Sequence, residues 1–173
     1  RQGGTMTVFE ISDIKYFMGR LLGSPMFDHF LLTEAHICAG ITYTLDGHIN
    51  DSFYSEDDLE NLHLKGFSYL PFSFLRGTCF DMIKGKNTPV SFRFVFMLSP
   101  ENTAHTLARS QSSFRPEDIS GMFLNINYRN GRLQCTTGIS YRLFSPDKTL
   151  EYEWDDLAEK FFRKNQIAVE KSL

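Results

Sequence analysis

The chain has 173 residues, and its 18 Lys and Arg stand against 21 Asp and Glu for a formal net charge of −3 with neutral His. That length suits one domain with its own core, and 17 Phe, 7 Tyr and 1 Trp exclude a disordered tail. The near balance of charge excludes a surface built throughout to hold nucleic acid or anionic lipid, while leaving room for a local patch.

Thr7 to Ile11 is β-favouring, and Ser12 offers an oxygen to cap a helix in which Ile14, Phe17, Met18 and Leu21 recur at i, i+3, i+4, i+7 before Gly23 and Pro25 stop it. Phe30 to Ile37 and Ile41 to Leu45 read as strands. Asp46-Gly47 then stands where a type I′ hairpin needs two positive φ angles. Ser55 with Asp58 three residues on resembles a capping box on a short surface helix. After Phe67 to Leu75, interrupted by Pro71, a helical pattern runs through Cys79, Met82 and Ile83 and closes at Gly85.

Phe92, Phe94, Phe96 and Leu98 share one face at period two, the strongest strand signal in the chain. Ser99-Pro100 opens a helix with Ala104, Leu107 and Ala108 facing inward. Ser112 to Gly121 reads as irregular. Met122, Leu124, Ile126 and Tyr128 then alternate, Asn130-Gly131 is a second hairpin signal, and Leu133 to Phe144 is the returning strand. Beyond Ser145-Pro146 comes a helix with Leu150, Trp154, Leu157, Ala158, Phe161 and Phe162 on one stripe. Its acids Glu151, Glu153, Asp155 and Asp156 read as a solvated face ahead of Lys160, Arg163 and Lys164, in the order that suits the helix dipole.

These elements predict an α+β fold: an antiparallel sheet from two strand-helix-hairpin units, packed with helices and closed by a C-terminal amphipathic helix. Residues 6–173 are expected to form a single domain. The repeated order of elements raises the hypothesis of two similar halves, about 6–66 and 67–145, with the last helix over 146–166. Residues 1–5 read as a remnant ahead of a native start at Met6, since no apolar run like a signal peptide precedes it. Cys38, Cys79 and Cys135 are far apart, odd in number and free of any Cys-x-x-Cys pair, the pattern of reduced thiols in a cytoplasmic protein. No stretch approaches the roughly 20 apolar residues of a membrane span, so no membrane partner is expected.

The five histidines form neither H-E-x-x-H nor H-x-H, and no metal or other cofactor is called for. Lys84-Gly85-Lys86-Asn87-Thr88 ends a helix and lacks the spacing of a phosphate loop. Two weak polar centres remain. Glu34 and His36, two apart on a strand, share a face, and Cys79 falls in the first helical turn, where the dipole and Arg76 would lower its pKa. Arg76, Lys84, Lys86 and Arg93 against Asp81 make a basic middle interleaved with Phe72, Phe74 and Phe80, a candidate surface for a phosphate backbone.

The strings Phe27-Asp28-His29-Phe30-Leu31-Leu32, Ile83-Lys84-Gly85-Lys86-Asn87-Thr88-Pro89, Gly121-Met122-Phe123-Leu124-Asn125-Ile126 and Cys135-Thr136-Thr137-Gly138 resemble an uncharacterised family of small proteins from anaerobic Gram-positive bacteria, a domain of unknown function. The resemblance spans most of residues 6–166 and implies a bacterial cytoplasmic protein; it brings no activity, cofactor or catalytic residue. The repeated order of strand, helix and antiparallel strands is also similar to the building unit of DNA sliding clamps. That is a likeness of architecture alone. The expectation is a non-enzymatic binding or scaffold module, clamp-like, whose partner is a protein, a second copy or, with weaker support, nucleic acid. The alternative is a small enzyme or ligand-binding protein with a pocket near Cys79 or Glu34 and His36.

Overall fold

A computed structural model describes residues 7–172; the expected start at Met6 lies outside the described residues, as do residues 1–5 and 173. In chain order the elements are β1 (Val8–Ile11), α1 (Ile14–Gly23), β2 (Leu31–Cys38), β3 (Thr42–Asp46), α2 (Glu56–Asn61), α3 (Arg76–Ile83), β4 (Ser91–Met97), α4 (Pro100–Arg109), β5 (Ile119–Arg129), β6 (Arg132–Tyr141), α5 (Thr149–Lys164) and β7 (Val169–Ser172). The strands form one open sheet, ordered β3-β2-β4-β5-β6-β1-β7, with every neighbouring pair antiparallel. The fold is therefore α+β, as the patterning predicts. Strands β4, β5 and β6 are contiguous and lie between β2 and β1. Among the described residues no helix is long and apolar enough to cross a membrane.

Period-two alternation gives the sheet two unlike faces. Phe9 and Ile11, Ala35 and Ile37, Phe92, Phe94 and Phe96, Leu124 and Ile126, Leu133 and Cys135 all point into one core. Helices α1, α3 and α5 cover that face with Phe17 and Leu21, Cys79, and Trp154, Ala158 and Phe162. Between those residues lies the opposite face. There Thr44, His36, Arg93, Asn127, Gln134, Glu10 and Glu170 stand in cross-strand register, one polar row over all seven strands. The row and its neighbours on this face pair with one another: Gln134 Nε2 donates to Glu10 at 2.7 Å and Arg132 Nε to the same carboxylate at 3.1 Å. The Arg132 and Gln134 hydrogen bonds hold the Glu10 carboxyl below its ordinary range.

The core is joined through its phenylalanines. Phe27, in a 3-10 turn at Pro25–Phe27, stacks on Phe96 of β4 with ring centroids 4.6 Å apart and planes 17° from parallel. The same ring meets Phe17 of α1 at 5.9 Å, Phe30 at 5.7 Å and Phe161 of α5 at 5.4 Å. Burying each ring contributes about 1.5–3 kcal/mol, and each favourable ring pair adds about 0.5–1.5 kcal/mol.

Several local expectations are corrected. Asp13, not Ser12, caps α1, accepting from Tyr16 N at 3.0 Å. Asp46-Gly47 makes no I′ hairpin: the chain turns between β2 and β3 at residues 39–41, where Ala39 N donates to Ile41 O. Gly47 instead ends β3 hard against β2, so close that a Cβ there would lie 1.8 Å from Leu32 O. Asn130 and Gly131 do take the positive φ angles, 54° and 73°, that their hairpin requires. The Ser55 and Asp58 capping box is present on α2. Residues 112–121 are not irregular throughout, because Pro116–Asp118 forms a 3-10 turn and β5 begins at Ile119. Strand β6 stops at Tyr141, where Arg142 N turns to Asp118 O.

Ala108 faces solvent rather than the core. Leu157 is 39% exposed, off the inward stripe of α5. Two acids expected on a solvated face are buried: Glu151, 3.6 Å from Lys148, and Asp155, which accepts from Thr7 Oγ1 at 2.7 Å and from Thr137 Oγ1. Strand β7, unsuspected from the sequence, pairs with β1.

Three substitutions test this packing by urea unfolding. Phe27→Ala removes a ring shared by α1, α5 and β4 and is expected to cost about 3–5 kcal/mol, whereas Phe144→Ala, at a side chain 86% exposed, is expected to stay within about 0.5 kcal/mol. Gly47→Ala is expected to destabilise by more than about 1 kcal/mol, because the atom in its way is backbone.

Candidate functional site

Helix α4 opens with Ser99, whose Oγ accepts from Asn102 N at 3.2 Å, and Pro100 in its first turn. Its inward anchor is Leu107. On the neighbouring face His105 and Arg109, one turn apart, look toward α5. Helix α5 answers with Glu153, Asp156, Leu157 and Lys160, spaced i, i+3, i+4 and i+7 along one side. Between these faces lie two adjoining hollows of about 320 and 330 Å³ that share His105, Thr106, Arg109 and Leu157.

The two hollows differ in chemistry. One is floored by Phe30, Leu98, Leu124, Trp154, Ala158 and Phe161. Trp154 Nε1 donates to Phe123 O at 2.9 Å, which fixes the indole and leaves it only apolar surface to offer. The other is polar, between Arg109, Ser110, Glu153, Asp156 and Lys160. Its far end is closed by Glu153, which accepts from Ser110 Oγ and from Gln111 N at 2.9 Å and so ties the end of α4 to α5. Among the described residues, neither Arg109 nor Lys160 has an ion-pair or hydrogen-bond partner. A cleft with an apolar floor and a few polar groups at one end is the ordinary form of a small-molecule site.

The residues singled out from the sequence lie elsewhere, and the sheet separates them. Cys79 is fully buried in the core, while Glu34 and His36 alternate with the core residues Ala35 and Ile37 and so face the other way. Arg93 Nη2 donates to Glu34 Oε1 at 2.5 Å, and His36 Nε2 lies 3.7 Å from the same carboxylate. Glu34 and His36, with Thr44, Asp46, Tyr69 and Phe123, line a broad depression of about 620 Å³ on the polar face. Arg76 Nε donates to Asp28 at 2.9 Å, and Lys84 meets Asp81 at 2.9 Å while lying over the Phe80 ring. Lys86 is exposed in the loop after α3. Arg93 thus stands on the opposite side of the sheet from α3, which carries Arg76. Among the described residues no three His, Cys, Asp or Glu side chains gather in a group able to hold a metal ion.

The expected lowering of the Cys79 pKa is reversed. Burial pushes its thiol up to about 12, and Arg76, which was to have assisted ionisation, is occupied by Asp28. The Cys135 thiol is pushed up as well, first by burial and then by the nearby Asp155 carboxylate. Sequence reasoning missed His105 and Arg109. Their spacing was visible, but nothing local says that α4 lies alongside a helix forty residues further on.

Thiol labelling at pH 8 tests this. Cys38, only half-buried, is expected to react first. Cys79 carries about a thousandfold less thiolate than an ordinary thiol, and neither it nor Cys135 is expected to label until the protein unfolds. The sign for stability follows: the contribution of the buried, neutral Cys79 is whole below the ordinary cysteine pKa of 9.0 and is lost as the pH rises toward about 12.

No curated protein and no solved structure matches this chain. A family model does: the Family of unknown function (DUF5721) is matched over residues 20–170, a span that holds both walls and the floor of the cleft, and the chain belongs to that family.

Proposed function

We propose that the protein is a non-enzymatic, cytoplasmic binding module and that its ligand, a small molecule, occupies the cleft between α4 and α5. The observation that carries this reading is the pairing, in one concavity, of a fixed apolar floor at Trp154 with two cations, Arg109 and Lys160, that no carboxylate of the described residues neutralises. Binding rather than turnover is favoured because the candidate nucleophile Cys79 is a buried neutral thiol, on the other side of the sheet from Glu34 and His36. A small ligand rather than a clamp-like hold on nucleic acid is favoured because Arg76, Lys84 and Arg93 each answer a carboxylate of their own. The cytoplasmic placement is supported by three free cysteines.

A neutral environment-sensitive dye such as Nile red reads occupancy of the site directly. Saturable, one-to-one enhancement of its emission is expected, and Thr106→Phe, which fills the space shared by the two hollows, is expected to weaken binding at least about tenfold. Enhancement that never saturates, or that survives Thr106→Phe with the fold intact by circular dichroism, sinks the reading.

A further inference from the structure

Resting on that reading of the cleft, we infer that the ligand is an amphipathic monocarboxylate: an apolar body carrying one terminal carboxylate, with no second negative charge. The two ends of the cleft impose this division. On the floor of the apolar hollow the one side-chain polar group, Trp154 Nε1, is given to Phe123 O, and on the α4 wall, which also carries Asn102 and His105, Thr106 Oγ1 donates to Asn102 O at 2.8 Å. A hydroxyl or amide placed against Phe30, Leu98, Leu124 and Phe161 would lose its water and gain no equivalent partner. The body of the ligand is therefore hydrocarbon or aromatic.

The head must meet the polar hollow, where Arg109 also borders the apolar one. A guanidinium without a carboxylate of its own offers a planar pair of donors that matches a carboxylate, and Lys160 on the facing helix supplies a second positive charge. The acids of the same rim set the upper limit on charge. Glu153 is held by Ser110 and Gln111, and Asp156 stands 4.0 Å from Lys171 Nζ; neither pairs with Arg109 or Lys160, yet both carboxyl groups stand beside the head. One negative charge on the ligand is attracted by two unpaired cations. A second charge is set against Glu153 and Asp156, which disfavours a phosphate dianion, and a cationic head meets Arg109 and Lys160.

Trp154 is the sole tryptophan of the chain, so its fluorescence reports the floor of the cleft without a label. Decanoate, decanol, decyl phosphate and decyltrimethylammonium are titrated against the full chain, and each is also tested for displacement of Nile red. Decanoate is expected to bind about tenfold or more tighter than decanol and tighter than the other two. In the Arg109→Gln, Lys160→Gln double variant decanoate is expected to fall to the affinity of decanol, while saturable Nile red binding and the circular dichroism spectrum show that the site and the fold persist. That combination separates loss of head-group recognition from misfolding. If decanol matches decanoate and Thr106→Phe still weakens both, the binding site stands and the carboxylate inference falls. If decyl phosphate binds best, or the double variant keeps the decanoate preference, the inference falls in the same way. If none of the four perturbs Trp154 or displaces the dye although Nile red itself binds saturably, the site again stands without this ligand class. Failure of Nile red to bind removes the site and the inference together.

Discussion

The contact between Phe27 and Phe96 is the constraint on which the arrangement of the helices depends. Phe96 belongs to β4, near the middle of the sheet, and Phe27 belongs to a turn between α1 and β2. The stack therefore fixes where the chain returns from its first helix. Because the remaining edges of the Phe27 ring meet Phe17 and Phe161, it also sets how far apart α1 and α5 lie. An aliphatic residue there would bury similar area without the directional preference of ring against ring. Four aromatic neighbours converging on one buried ring leave little freedom for the helices to slide, since interiors packed to crystal density resist displacement.

Helix α5 shows how one segment serves three surroundings. One stripe, Leu150, Trp154, Ala158 and Phe162, closes the core. Asp155 projects from a second position into a buried pair of hydroxyls, Thr7 beside β1 and Thr137 on β6, tying the helix to two strands that are neighbours in space but distant in sequence. A buried carboxylate is tolerated only where such partners replace its water. The third side, Glu153, Asp156, Leu157 and Lys160, is the wall of the cleft. The exposure of Leu157 then has a physical reason: it lies one turn from the core stripe, above the hollow rather than inside the packing.

How much of this was legible depended on whether a signal was local. Phe92, Phe94 and Phe96 declared their strand because period two with large rings has no other economical arrangement, and Asn130-Gly131 declared its hairpin because both residues accept positive φ. Asp46-Gly47 has the same letters and a different cause: its glycine is needed for a close approach to Leu32 O, a contact made by a strand that the dipeptide itself does not reveal. Strand β7 was invisible because Val169–Ser172 is short and half charged, and it becomes a strand through the β1 edge it finds. Asp155 looked solvated because its partners, Thr7 and Thr137, lie 148 and 18 residues away.

The candidate site was illegible for the same reason, which bears on where function can reside in such a fold. The polar face of the sheet offered the obvious chemistry, yet residues of that face pair with one another, Glu34 with Arg93 and Glu10 with Arg132 and Gln134, so these charges are answered within the sheet. Arg109 and Lys160, without such partners, stand where two helices from different parts of the chain leave a gap above an aromatic floor. Keeping Arg109 and Lys160 apart from Glu153 and Asp156, which sit on the same rim, costs attraction that a simple surface pair would recover. The hydrogen bonds from Ser110 and Gln111 hold Glu153 away from that role, so an anion entering the cleft would meet both cations unengaged.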